Sequence, residues 1–440
     1  MVKQSPKIEN RGEVFVWTLY DWAVSAFTTT VMAGFFPLFF KDFYDPSEAA
    51  TVSTARLGGA NSVAALLMGL VAPVLGAIAD KGRSKKRFLF FFCLLGAALT
   101  ASLALVNEGD WLLAAALYAL AAFAQSASFI FYDALLPSIT KRQNVDYVSA
   151  LGYAFGYLGG GVVFAVNVWM YLQPAFFGLA DQVAAVKASF IMVAAWWVLF
   201  ALPLAFVETK RQAEETATEK KPISTSVKEG LREFAGTVRH VKHYKTLFLF
   251  LAAFLLYNDG VSTTIKMAVD YGMAIGFATQ DLIIALLLVQ FVGVPATFAY
   301  GKLFSYFSPK SGIYTAIAVY LLAVVWGAWM DSSWEFYGLA VLIGLVQGGI
   351  QSLSRSFYAR LIPAQKEAEF FGLYNLLGRF SGIVGPLLMG ALGLATGESR
   401  WTLAGIAVFF VAGGALLLAV QEEKAVEELH ARGERPVHEA

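Results

Sequence analysis

The side chains able to do chemistry in this 440-residue chain lie inside apolar stretches, at spacings that put them on shared helix faces. Asp259, Ser262, Thr263 and Lys266 form one such face, and Asp21, Ser25, Thr28 and Thr29 form another. Gln125, Ser128, Tyr132 and Asp133 make a third, and Gln347, Gln351, Ser354 and Arg355 a fourth. Asn375 and Arg379 mark a fifth stretch, while Tyr20, Tyr257 and Asn258 flank the two acids. Polar groups in hydrocarbon are expensive, so such positions read as functional by default. Carboxylates and cations in one cavity suit a zwitterion, or an anion with a polar tail. Arg355 or Arg379 would hold a carboxylate, and Asp259 an ammonium or a proton. The substrate-binding candidates are Tyr20, Asp21, Ser25, Gln125, Tyr257, Asn258, Asp259, Lys266, Gln347, Gln351, Arg355, Asn375 and Arg379. The proton-coupling candidates are Asp21, Asp133 and Asp259.

Each charge also has a plainer reading. Asp21 suits the start of a helix, and Asp133, near a helix C-terminus, suits an ion pair with a neighbouring cation. Lys266 and Arg355 have stems long enough to snorkel. Asp259 resists this reading, because Tyr257-Asn258-Asp259-Gly260 disfavours continuous helix and is expected to unwind around a ligand. Other chemistry is excluded. The histidines, His240, His243, His430 and His438, all lie in polar stretches, so neither a Ser/His/Asp triad nor a histidine metal cage is expected. Cys93 is the single cysteine, which rules out an internal disulfide and a thiolate metal site. Gly301-Lys302 lacks the glycine frame and the following Ser/Thr of a phosphate loop. No metal, cofactor or enzymatic activity is expected.

The elements that must position these residues follow from composition. Hydrophobic residues make up 58% and charged residues 15%, against roughly 25% charged in soluble domains. The net charge of +1 gives no reason to expect a nucleic-acid partner. A spanning helix needs about 20 apolar residues. Twelve stretches qualify, near 14–40, 53–79, 88–106, 111–138, 147–172, 184–207, 246–269, 279–300, 312–330, 334–361, 370–396 and 401–420. The fold class is therefore an all-α membrane protein: twelve transmembrane helices in two pseudo-symmetric six-helix bundles. The first apolar run is too long for a cleaved leader, so none is expected.

Lysine and arginine concentrate in alternate connections. Lys81, Arg83, Lys85, Lys86 and Arg87 follow span 2, and Lys210 to Lys245 follow span 6. The opposite side holds Lys41, Lys187 and Arg400. Both termini are expected in the cytoplasm. The bundles are 1–207 and 246–420, with a cytoplasmic linker at 208–245, carrying a short amphipathic helix near 226–243, and a charged, mobile tail at 421–440. The spacings of Gly152, Gly156 and Gly160, and of Gly378 and Gly382, read as close helix packing.

The bundles also repeat. Gln125-Ser126-Ala127-Ser128-Phe129-Ile130-Phe131-Tyr132 in span 4 aligns with Gln351-Ser352-Leu353-Ser354-Arg355-Ser356-Phe357-Tyr358 in span 10. Leu19-Tyr20-Asp21-Trp22-Ala23-Val24-Ser25 in span 1 aligns with Leu256-Tyr257-Asn258-Asp259-Gly260-Val261-Ser262 in span 7. Polar faces on spans 1, 4, 7 and 10 imply a water-filled cavity shared by every third helix, as in transporters whose repeats rock about a central site.

Gly76-Ala77-Ile78-Ala79-Asp80-Lys81-Gly82-Arg83-Ser84-Lys85-Lys86-Arg87 resembles the loop 2–3 signature of the major facilitator superfamily. The resemblance implies gating roles for Asp80, Gly82, Arg83 and Arg87. In the second half, Ser305 stands where the acid is expected. Finer stretches resemble one branch, the vacuolar amino-acid effluxers of autophagy and their bacterial relatives. They are Leu19 to Phe27, Phe131 to Pro137, Gly152 to Gly161, Tyr257 to Gly260, Gln351 to Ser356 and Glu367 to Gly372. The resemblance implies a secondary transporter for an amino-acid-like metabolite, proton-coupled and working by alternating access, with export as one direction. A monomer in a bacterial inner membrane is expected, with lipid, protons and a small solute as partners. Two readings compete: a proton-driven exporter of amphipathic or drug-like compounds, and a transport-dead sensor or scaffold using the linker and tail.

Overall fold

The computed structural model describes residues 11–81, 85–139, 145–206, 244–304, 308–363 and 367–434. The linker at 208–245 lies outside them except for Tyr244 and Lys245, as does the helix expected at 226–243. Long apolar segments have one way to satisfy their backbone in hydrocarbon, which is to coil into helices. They do so as α1 (Arg11–Tyr44), α2 (Ala50–Lys81), α3 (Lys85–Leu105), α4 (Trp111–Asp133), α5 (Val145–Leu172) and α6 (Gln182–Phe206). After the linker come α7 (Lys245–Ala274), α8 (Thr279–Phe304), α9 (Pro309–Trp329) and α10 (Ser333–Leu361). Then follow α11 (Glu367–Phe380), α12 (Val384–Thr396), α13 (Thr402–Ala419) and α14 (Glu422–His430). Among the described residues eleven helices are long and apolar enough to cross a membrane, and α11 with α12 supplies the remaining crossing of a twelve-span, multi-pass integral membrane protein.

The helices start on sequence-encoded caps. Asp181 accepts the Ala184 N–H before α6, Ser308 accepts the Lys310 N–H before α9, and Ser332 and Glu335 form a capping box on α10. Within α1, π-helical turns run over Phe27–Phe35 and Phe40–Tyr44. Pro37 lies between them, and its ring excludes the ordinary helical hydrogen bond back to residue 33.

The helices form two compact units, one from residues up to Phe39 and from Val71 to Leu231, the other from Phe40–Leu70 and from Arg232 onward. In the first unit α1 lies along α5. A Cβ on Gly152 would fall 2.6 Å from Asp21 Oδ2, one on Gly156 2.7 Å from Ser25 Oγ, and one on Gly160 2.7 Å from Thr29 Oγ1. The expected glycine packing is thus present, and it receives the polar face of α1. In the second unit the Gly344, Gly348 and Gly349 face of α10 packs on Val292, Thr297 and Tyr300 of α8. Gly260 of α7 receives the Phe410 ring of α13. The first part of α2 runs along α11 and α12, with Gly69 against the Phe380 ring and Gly390 against Ala55.

Three expectations are corrected. The Tyr257-Asn258-Asp259-Gly260 sequence does not unwind: α7 is continuous, since Gly260 has a packing role and interior propensities cost only about 1 kcal/mol per residue. The break falls in span 11, at Ser381-Gly382-Ile383, where Gly382 has φ +93°. Gly382 therefore serves a left-handed turn rather than helix packing. The tail is not a mobile segment over its first part. α14 buries Ala425 and Leu429 on the second unit. Glu428 accepts the Thr246 N–H (3.3 Å) and Thr246 Oγ1 (3.0 Å), capping α7, and Tyr244 donates to Glu434 at 2.7 Å.

Candidate polar sites of the two units

In the first unit the buried carboxylate of Asp21 accepts the Tyr132 hydroxyl at 2.7 Å. Tyr132 is fixed from both sides. Trp17 stacks on it at 4.3 Å and donates its indole N–H to the Tyr132 carbonyl, while Tyr20 stacks at 5.0 Å. Tyr20 is wholly buried. Ser25 is half-buried, seated over Gly156. Gln125 is buried and donates to Thr28 Oγ1 at 3.3 Å, joining α4 to α1. Asp133 is exposed at the end of α4, next in sequence to Tyr132.

In the second unit Tyr257 is buried and its hydroxyl lies 2.7 Å from Ser354 Oγ. Ser354 spends its own proton on the Ile350 carbonyl, so Tyr257 is the donor. The neighbouring pair, Asn258 and Asp259, faces the break. Asn258 Nδ2 donates to Ser381 Oγ, whose hydroxyl donates to the Gly378 carbonyl at 2.6 Å. Asp259 is buried and accepts the Gly385 N–H (2.8 Å), the Val384 N–H (3.2 Å) and the Thr263 hydroxyl (3.2 Å). Lys266, one turn beyond Thr263, is half-buried, and a Cβ on Gly382 would lie 3.0 Å from its Nζ. Ser62 of α2 donates to the Ile383 carbonyl at 2.7 Å. On α10, Gln347 and Arg355 are half-buried and Gln351 is exposed. The side chains of Asn375 and Arg379 on α11 lie outside the described residues, as do Gly82, Arg83 and the Asp80 side chain. Arg87 is described and exposed, and Lys85 reaches the Ala134 carbonyl at 3.3 Å.

The repeat is not carried into identical wiring. Tyr132 bonds a carboxylate, whereas its counterpart Tyr358 donates to the Phe370 carbonyl at 2.7 Å. Two groups of residues escaped the sequence reading. Ser381 and Ser62 look like ordinary small residues until the break in span 11 is seen. Lys41 reads only as a stray cation, and Asp270 not at all, yet they meet in the second unit together with Thr54. The one available signal was a charge at each apolar end.

Chemically, the first unit offers a buried acid with a phenol donor. The second offers a half-buried ammonium beside an interrupted helix whose open ends are bonded by an adjacent amide and carboxylate.

Comparison with known proteins agrees with this architecture. The chain is 35% identical over 439 residues to an uncharacterised MFS-type transporter, YxiO, of Bacillus subtilis (strain 168), covering 99% of this chain and 100% of that one. It is 23% identical over 455 residues to autophagy-related protein 22 of Eremothecium gossypii, covering 91% and 89%. Two solved folds are similar. A bacterial homologue of the human lysosomal transporter Spinster, inward-facing and occupied, superposes with TM-score 0.63 at 13% identity over 95% of this chain and 97% of that one. The D323A mutant of the nucleoside transporter NupG gives TM-score 0.66 at 15% identity over 93% and 98%. The family model described as vacuole effluxer Atg22 like matches residues 50–430. With that match over most of its length, the chain belongs to the Atg22-like family, and it is a transporter of the major facilitator type rather than an enzyme.

Proposed function

We propose that this transporter moves a small zwitterionic or anionic, amino-acid-like metabolite by alternating access, with proton coupling and export as the physiological direction. The reading is carried by an ionisable side chain inside the first helix of each repeat: the buried acid Asp21 on α1 and the half-buried ammonium of Lys266 on α7. A buried ionisable group on each first helix of a repeat is costly unless it serves the solute or the coupling ion. In this reading Lys266, Arg355 and Arg379 meet the anionic end of the solute. Tyr20, Ser25, Gln125, Tyr257, Gln347, Gln351 and Asn375 supply hydrogen bonds. Asp21, with Tyr132 as its donor, carries the proton. Exposed Asp133 and many-bonded Asp259 are the less suited carriers. Gating falls to Asp80, Gly82, Arg83 and Arg87. The name of the vacuolar relatives supports efflux and the bacterial relative supports a plasma-membrane location, with both termini cytoplasmic.

The test is uptake of a labelled amino-acid mixture into proteoliposomes, with and without an imposed pH gradient. Saturable uptake that follows the gradient, loses that dependence in Asp21→Asn and weakens in Lys266→Gln is expected. Uptake equal to empty liposomes under both conditions removes amino acids as the solute. Gradient-independent uptake in the parent protein removes proton coupling.

A further inference from the structure

We infer that Asp259 is a positioning residue: its carboxylate is the N-cap of α12 and holds the break in span 11 open, instead of meeting solute or proton. The first turn of a helix leaves four N–H groups without intrahelical partners. The residue at the N-cap position of α12 is Ile383, which has no side-chain acceptor. The missing acceptor comes from α7. Asp259 Oδ1 takes the Gly385 N–H at 2.8 Å and Oδ2 takes the Val384 N–H at 3.2 Å. Thr263, one turn along α7, aligns Oδ1 with a third bond at 3.2 Å.

The approach is built for this contact. A Cβ on Gly385 would fall 2.5 Å from Asp259 Oδ1, so only glycine lets the helix start sit on the carboxylate. The preceding residue does the matching job on the other lip. Asn258 donates to Ser381, and Ser381 closes the end of α11 on the Gly378 carbonyl. Gly382 supplies the left-handed turn between the lips, at φ +93°. Ser62 ties the Ile383 carbonyl. Two adjacent residues of α7 thus hold both ends of the interruption. The carboxylate, only 3% exposed, faces backbone N–H groups rather than open space. This assignment deepens the transport reading, on which its kinetic arm rests; its structural arm needs no solute.

Asn keeps an acceptor oxygen at the reach of Asp, Ser places its acceptor one atom short of it, and Ala has none. The experiment compares Asp259→Asn, Asp259→Ser, Asp259→Glu and Asp259→Ala in the purified full chain. One readout is amide hydrogen exchange of the peptide covering 381–387. The other is KM and kcat for uptake of the labelled amino-acid mixture. Capping predicts that Asn stays within about threefold of the parent in exchange and in KM, with Ser between Asn and Ala. Ala should speed exchange by about fivefold or more. Glu keeps the charge but moves its oxygens, so it should transport less well than Asn. Normal exchange in Asn with transport lost, and rescued by Glu, would overturn the assignment in favour of a charge-bearing role. Unchanged exchange in Ala would overturn it too. If Ala does not fold, Asn against Glu still decides. If the parent protein transports none of the mixture, the solute class fails, and exchange in the same variants still decides the cap.

Discussion

The ammonium of Lys41 lies 2.7 Å from Asp270 Oδ1, with side-chain exposures of 8% and 0%. Lys41 also reaches the Asp270 carbonyl at 2.7 Å and Thr54 Oγ1 at 3.0 Å, and Thr54 donates to Asp270 Oδ2 at 2.7 Å. The last turns of α1, the first turn of α2 and the end of α7 are tied at one point in the second unit. Arg56, held by Asp45 at 2.5 Å and Glu48 at 2.8 Å, secures the loop between α1 and α2.

Breaking such a pair strands a buried charge. Asp270→Asn or Lys41→Met should each destabilise the protein by about 3–5 kcal/mol. Replacing both with apolar residues should cost clearly less than the sum. Chemical denaturation of the detergent-solubilised variants, arranged as a double-mutant cycle, measures the coupling. Additive losses would show that the two charges do not depend on each other.

Tyr132→Phe removes the hydroxyl that reaches Asp21 while leaving both ring stacks in place. A hydrogen bond to a charged or strongly polar partner is worth about 1.5–3 kcal/mol. The variant should therefore lose stability in that range, whereas Tyr358→Phe, whose partner is a carbonyl, should lose about 0.5–1.5 kcal/mol. Melting curves of the two variants side by side check the difference. Gradient-driven uptake should fall in Tyr132→Phe more than in Tyr358→Phe.

The α1–α5 contact predicts a position-specific response to one methyl group. Gly156→Ala puts a Cβ 2.7 Å from Ser25 Oγ, so α5 must move away, at a cost of about 1–3 kcal/mol. Gly161→Ala, with nothing described within 4 Å of its Cβ, should be neutral or slightly stabilising. The paired melting temperatures test this, and Ser25→Ala should recover part of the loss in Gly156→Ala.

The docked α14 predicts that the tail contributes to the fold. Glu428→Ala removes the side-chain cap of α7 and should cost about 1 kcal/mol. Leu429→Asp places a charge where exposure is 0% and should release the helix altogether. Limited proteolysis reads that release, as earlier cleavage after residue 420 than in the parent chain. Equal cleavage rates would mean that α14 does not hold on this surface.

The membrane class and the helix count were legible in the sequence, because every long apolar stretch has the same solution in hydrocarbon. The duplication was legible too, since the paired stretches of spans 1 and 7, and of 4 and 10, keep their residue types. So was the contact of Gly152, Gly156 and Gly160, because small residues at helical spacing let a neighbouring backbone approach. The location of the break was not. Asn258, Asp259 and Gly260 are weak helix formers, yet propensity is a small term beside packing, and Gly260 was needed under the Phe410 ring. The interruption went to Gly382, where a left-handed turn was available and where Asn258, Asp259 and Ser62 could take up the freed backbone groups. The meeting of Lys41 with Asp270 was equally out of reach. Each alone is an isolated charge at the end of an apolar run, and their partnership exists only once residues 229 positions apart are brought together. Sequence by itself determined which residues are too polar for their surroundings. Tertiary structure decided which of them satisfy one another, because a hydrogen bond depends on the distance between two side chains and not on the type of either.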